Sequence, residues 1–194
     1  MRFSKSVIDA ALKQSVSASV PPATARPTTL RVLGVDASLR SAGLGIVEFE
    51  RGVMRCIDAR CVKSKPTLRL SECLVNLRAA TDAYIAEFKP DEAALEGIFF
   101  FHNAKTALIL GHARGVILSS CAAAGIPAYE YPPTRVKQAV TGGGAAVKGQ
   151  MQAMMKSMLG LPELPQEDAA DALAIAVTRI HEISGFTANG AKEI

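Results

Sequence analysis

The sequence predicts an α/β fold in which a mixed five-stranded sheet is flanked by helices, and two observations carry that reading. Three short apolar runs separated by turn residues come first, between residues 30 and 62. After them, helical and strand-like patterns alternate as far as residue 183. The first pattern is the signature of an antiparallel meander, and the second is that of crossover connections between parallel strands.

Taken in order, residues 30–35, 43–49 and 53–62 are the three meander strands. Residues 67–88 carry Leu68, Leu70, Leu74, Leu77 and Ile85 at helical spacing, and Lys89-Pro90 ends that helix. Residues 93–96 form a short apolar strand, and residues 104–124 a long helix stopped by Gly125. A further strand over 126–131 runs into Pro132-Pro133, which opens a helix to about residue 140. The glycine loop Gly142-Gly143-Gly144 leads to a helix over 147–159. Beyond Pro162 and Pro165 a last helix spans 167–183. This order, β-β-β-α-β-α-β-α with a closing helix, is that of the RNase H-like fold, a scaffold that does not by itself assign an activity.

A chain of 194 residues fits one domain, and 49% hydrophobic content supplies a core for it. Residues 1–29 read as a flexible extension: they are rich in Ser, Ala, Thr and Pro and hold little to bury. Their basic, acid-poor character resembles an organelle transit peptide, with a mistaken start or a loose bacterial extension as equal readings. The domain is expected over 30–184, and 185–194 as a tail. No run of about 18 apolar residues is free of charge, so none reads as a membrane span. Of the formal net charge of +4, the first 30 residues supply most, through Arg2, Lys5, Lys13 and Arg26 against Asp9 alone. A nucleic-acid surface must therefore come from local clustering of Lys and Arg, not from bulk charge. The four cysteines have no Cys-x-x-Cys pair and read as small buried hydrophobes in a reducing compartment, which places the protein in the cytoplasm.

The chemistry-bearing residues are acids. Asp36 closes the first strand and Glu96 the fourth, so adjacent parallel strands would bring both to one rim of the sheet. Asp168 and Asp171, three apart at the start of the last helix, share a face, and both are expected in its first turn, where the helix dipole favours negative charge. Each has a plainer alternative: Asp168 a first-turn acid and Asp36 an Asx-turn residue. A carboxylate ending an apolar strand, as Glu96 does, is seldom placed there for stability. Two carboxylates about 4 Å apart repel by roughly 4 kcal/mol at an effective dielectric near 20, so such a cluster calls for a cation. Hard oxygen donors suit Mg²⁺ or Mn²⁺. His102, His112 and His181 show no ligand-like grouping.

Seven segments in order resemble the RuvC family of Holliday-junction resolvases. They are Leu33-Gly-Val-Asp-Ala-Ser-Leu-Arg-Ser-Ala-Gly-Leu-Gly, Leu95-Glu-Gly-Ile-Phe, Gly111-His-Ala-Arg-Gly, Tyr129-Glu-Tyr, Val136-Lys-Gln-Ala-Val, Gly142-Gly-Gly-Ala-Ala-Val-Lys-Gly-Gln and Asp168-Ala-Ala-Asp-Ala-Leu-Ala-Ile-Ala. The resemblance covers roughly residues 31–183. It implies metal ligands at Asp36, Glu96, Asp168 and Asp171, binding two Mg²⁺ per subunit with Mn²⁺ as a substitute. It also implies DNA contacts at Phe99, Lys137, Lys148 and Arg114. Phe99 would stack on a base near the crossing point, with core packing as its other reading; Lys137 and Lys148 would lie near the site, or on solvated helix faces. Arg114 has two other readings, support of the family's dimer interface and a structural ion pair. A homodimer acting on four-way junction DNA, with RuvA and RuvB as partners, follows from the same resemblance.

The chain departs from the family pattern at Ala37-Ser38, where Pro-Gly is usual, and at Ala42, where a Thr is expected. Three competing readings remain at this stage. One is a junction-binding protein with impaired cleavage, one a related nuclease acting on structured RNA, and one an ATPase of the sugar-kinase or actin type. The last normally needs two such domains, and this chain has room for one.

Overall fold

Residues 29–97, 104–142, 149–185 and 191–194 are described by a computed structural model. Phe99 and Lys148, the 1–28 part of the extension and the heart of the glycine loop lie outside these residues. The meander forms as expected, with β1 over Thr29–Asp36, β2 over Ser41–Glu50 and β3 over Val53–Lys63. A tight turn at Arg51 and Gly52, both at positive φ, joins β2 to β3, the backbone twist that two-residue hairpins favour. Helix α1, Leu70–Phe88, starts on a capping box in which the Glu72 carboxylate accepts the Arg69 backbone N–H at 2.8 Å. It stops at Lys89 in the left-handed region, one residue before Pro90. Strand β4, Glu92–Glu96, follows, then α2, Ala104–Ala123, and β5, Ala128–Tyr131. Helices α3, Pro133–Thr141, α4, Gln150–Leu159, and α5, Glu167–Ile183, complete the domain.

The sheet has six strands, not five, in the order β3-β2-β1-β4-β5-β6. The sixth, β6, is the pair Lys192–Glu193, set antiparallel on β5 opposite Glu130 and Tyr129. The segment expected to be a tail therefore returns to cover the β5 edge. A two-residue strand has no periodicity to read, which is why the sequence hid it. Strand β4 lies parallel to β1, with Val35 opposite Leu95, and β5 lies parallel to β4.

Strand alternation divides the core into two layers. Leu33, Val35, Leu44, Ile46 and Leu95 pack under α1 and α2 with Leu77, Tyr84, Ala113 and Ile117. Val32, Val47 and Ala94 face the other way, onto α3, α4 and α5 with Val136, Met155, Leu173 and Val177. Helix α5 lies directly on this second face. Its run of small residues, Ala169, Ala170, Ala172, Ala174 and Ala176, is buried. Opposite it, a Cβ added to Gly34 would stand 1.9 Å from the Ala172 carbonyl oxygen, and one added to Gly43 would stand 1.8 Å from that of Asp168. No side chain fits at either position, so these two glycines set how close the helix comes.

Helix α2 has the length and apolar composition of a membrane span. Its inner residues Ala113, Ile117 and Cys121 pack in the α1 layer, and Arg114 sits near its midpoint. All four cysteines are free, Cys73 and Cys121 buried.

Candidate active site

The rim at the C-terminal ends of β1 and β4 collects the acids. Asp36 is the last residue of β1, opposite Gly43 of β2, and Glu96 is the last of β4, one step beyond the Val35–Leu95 pair. By strand parity, Asp36 shares its face with Val32 and Gly34, and Glu96 shares its own with Ala94. That is the face on which α5 lies. The close approach at Gly43 brings the first turn of α5, and with it Asp168, onto the same spot. Asp171 stands one turn further along, just beyond the first turn to which the sequence reading assigned it.

The electrostatics follow from that convergence. The Asp36 carboxyl is pushed up to about 7, first by burial and then by Asp171, Glu96 and Asp168 in turn. Asp171 is pushed up to about 6, by burial and then by Glu167 and Asp168, with Lys137 pulling the other way. Glu96 is raised by burial and by Asp171, and again Lys137 opposes the shift. Lys137, exposed on α3, is thus the cation facing Glu96 and Asp171. Four half-buried acids share one rim, and Lys137 offsets the repulsion at two of them, Glu96 and Asp171.

These side chains feel one another without closing into a cage. Among the described residues, no three Asp, Glu, His or Cys side chains are gathered tightly enough to hold an ion. The donor set nevertheless fits a hard divalent cation, because it offers carboxylate oxygens whose ionised forms the protein alone disfavours.

The structure places Arg114 inside the protein. It is 8% exposed, its guanidinium lies 3.2 Å from the Glu130 carboxylate, and it donates to the backbone carbonyl of Glu96 at 2.5 Å. These two contacts tie the end of β4 to α2 and β5. The ion-pair reading describes it. Ala42 is fully buried on the α1 and α2 side of the sheet, away from Asp36, so the missing Thr hydroxyl falls on the opposite face from the carboxylates.

Two neighbours went unremarked in the sequence. The Ser41 hydroxyl donates to Asp168 Oδ2, and Cys61 of β3, opposite Gly43, lies within electrostatic reach of both Asp168 and Asp36. Parity along β2 and β3 puts both on the α5 face, a signal that becomes legible once the register is known.

The fold and the rim define a class, an RNase H-like domain with a candidate carboxylate site at the ends of β1 and β4. The model of the family described as crossover junction endodeoxyribonuclease RuvC matches residues 32–179. A protein of that description from Chloroflexus aggregans is 47% identical over 149 residues, covering 76% of this chain and 91% of its own. Another, from Myxococcus xanthus, is 43% identical over 154 residues, covering 78% of this chain and 81% of its own. Among solved structures, Thermus thermophilus RuvC in complex with Holliday junction substrate superimposes with a TM-score of 0.78 at 33% identity, covering 85% of this chain and 99% of that one. The yeast mitochondrial Holliday junction resolvase shares the fold at a TM-score of 0.51 and 14% identity, over 88% of this chain and 83% of its own. The chain belongs to the RuvC family.

Proposed function

We propose that this protein is a structure-specific endonuclease that resolves Holliday junctions by symmetric nicking of two DNA strands during recombination and repair. The observation that carries the reading is the convergence of Asp36, Glu96, Asp168 and Asp171 on one rim, in a chain of the RuvC family. Residues 30–184 carry the activity. The RuvC structure with a bound junction supports four-way DNA as the substrate.

Asp36 and Glu96 hold the strand side of the site, and Asp168 and Asp171 the helix side. These four carboxylates would hold two Mg²⁺ ions, with Mn²⁺ as a substitute, and the ions would supply activation of a water and charge neutralisation at a phosphodiester. The rigid ends of β1 and β4 keep their two carboxylates in register, and the glycine contact of α5 keeps the other two opposite them. Lys137 places a positive charge beside Glu96 and Asp171, where a phosphate oxygen approaches. Phe99 and Lys148 act on the junction itself, the first by stacking on an unpaired base and the second by holding the strand.

A homodimer presents two such sites to opposite arms. Leu108, 66% exposed on α2, and a groove of about 690 Å³ lined by Leu39, Leu70, Leu108 and Ile109 support an apolar contact between copies. RuvA and RuvB are the expected partners. Bacterial relatives and four free cysteines support action in the cytoplasm.

The test mixes the purified protein with a synthetic four-way junction, with and without Mg²⁺. Paired nicks at symmetric positions that leave ligatable 5′-phosphate ends are expected only with the ion. Junction binding without any nicking in Mg²⁺ or Mn²⁺ would leave a binding protein in place of a resolvase.

A further inference from the structure

Ser41 opens β2 and pairs with Lys63 of β3. Two residues on, Gly43 lies opposite Asp36 and under the Asp168 carbonyl, so Ser41 shares the carboxylate face of the sheet. Its hydroxyl donates to Asp168 Oδ2.

The two partners differ in how firmly they are held. Ser41 sits on an anchored strand end. The preceding residue, Arg40, accepts the Ser64 backbone N–H at 3.0 Å, and its guanidinium donates to the carbonyls of Lys65 at 2.9 Å and Leu68 at 3.1 Å. Asp168 stands in the first turn of α5, whose N-cap residue, Gln166, contributes no side-chain capping bond. A carboxylate there rotates about its χ angles unless something holds one oxygen.

We infer that Ser41 is a positioning residue: its hydroxyl holds one oxygen of Asp168 so that the other faces the rim shared with Asp36, ready to ligate a divalent cation. The inference rests on the metal-site reading above and assigns a role to a residue outside the carboxylate set. Ser41 touches no substrate; it acts through Asp168. Partners of this kind, which orient a ligand, commonly change metal affinity by about 10–100-fold when removed.

The experiment measures Mn²⁺ binding to the full chain by electron paramagnetic resonance of the free ion, without DNA and without turnover. Ser41→Ala is expected to weaken binding by about tenfold. Ser41→Thr, which keeps a hydroxyl on a strand that accepts β-branched residues, should stay within about twofold of the parent. In an Asp168→Asn background, adding Ser41→Ala should change affinity by less than about twofold, because the coupling partner is gone. Circular dichroism confirms that each variant folds alike. Equal Mn²⁺ affinity in Ser41→Ala and parent overturns the inference, as does a tenfold loss that persists in the Asp168→Asn background or in Ser41→Thr. Those results leave the metal site itself standing. A parent chain that binds no Mn²⁺ at all would bring down both.

Discussion

The two ends of α5 meet the same sheet and are built on opposite electrostatic plans. At its C-terminal end Arg179 lies 2.7 Å from Glu92 and 3.3 Å from Glu182, and its guanidinium sits 3.4 Å from the centre of the Tyr129 ring. Tyr131 donates to Glu182, and so does the Ala191 backbone N–H, which fastens the approach to β6. Both carboxylates there share Arg179 as their counter-ion, and neutral donors satisfy the rest of Glu182. At the N-terminal end Asp36, Glu96, Asp168 and Asp171 crowd together with Glu167 beside them, and Lys137 offsets only part of the repulsion at Glu96 and Asp171. Strand β4 shows the contrast within five residues, since Glu92 starts it in an ion pair and Glu96 ends it on the rim. A matched end stabilises the fold, whereas an unmatched end stores a need for a cation.

That contrast can be broken in four ways, the largest effect first. Asp36→Asn should lower nicking of a four-way junction by about a thousandfold while leaving junction binding nearly unchanged. If the variant cuts at the parental rate, Asp36 is no ligand and the unmatched end has lost its purpose. Arg179→Leu should destabilise the fold by about 3–5 kcal/mol in chemical denaturation, since it strands Glu92 and Glu182 without a cation. Mn²⁺ affinity of the still-folded variant should stay parental, and a comparable loss of metal binding would show that the two ends are not separate.

Next comes pH. Asp36 is held near 7 in the folded protein against about 3.8 unfolded, so the folded state keeps a proton that the unfolded state releases between those values. Stability without divalent ions should therefore fall as pH rises from about 4 to 7, and the loss persists above. Asp36→Asn removes this liability, and at pH 8 without divalent ions it should raise the melting temperature by several degrees. Mg²⁺ should raise the parent's melting temperature more at pH 8 than at pH 5. A variant that melts below the parent at pH 8 would mean that Asp36 is satisfied without a cation. The smallest effect belongs to Lys137→Gln. Lys137 lowers the Glu96 and Asp171 carboxyl pKa values, so its loss should move the acidic limb of the pH–activity profile to higher pH. An unmoved limb would show that Lys137 serves DNA binding only.

Much of this was legible in the chain, and the reasons are local. Element order came from periodicity and from stops such as Lys89-Pro90 and Pro132-Pro133, because backbone preference acts over a few residues. Asp36 and Glu96 were legible because an acid ending an apolar run has few structural uses. Asp168 and Asp171 were legible because helical spacing puts residues three apart on one face. Arg114 stayed open in the sequence because an arginine in an apolar helix looks the same whether it pairs inward or reaches outward.

What the amino-acid sequence determined alone was therefore the succession of helices and strands and the acids at their ends. Only the tertiary structure decided that β1 and β4 are neighbours, that Gly34 and Gly43 let α5 touch the sheet, that Ser41 reaches Asp168, and that residues 192–193 close an edge. Each of those depends on groups distant in the chain meeting in space. Such meetings are set by packing and register, which no local pattern encodes.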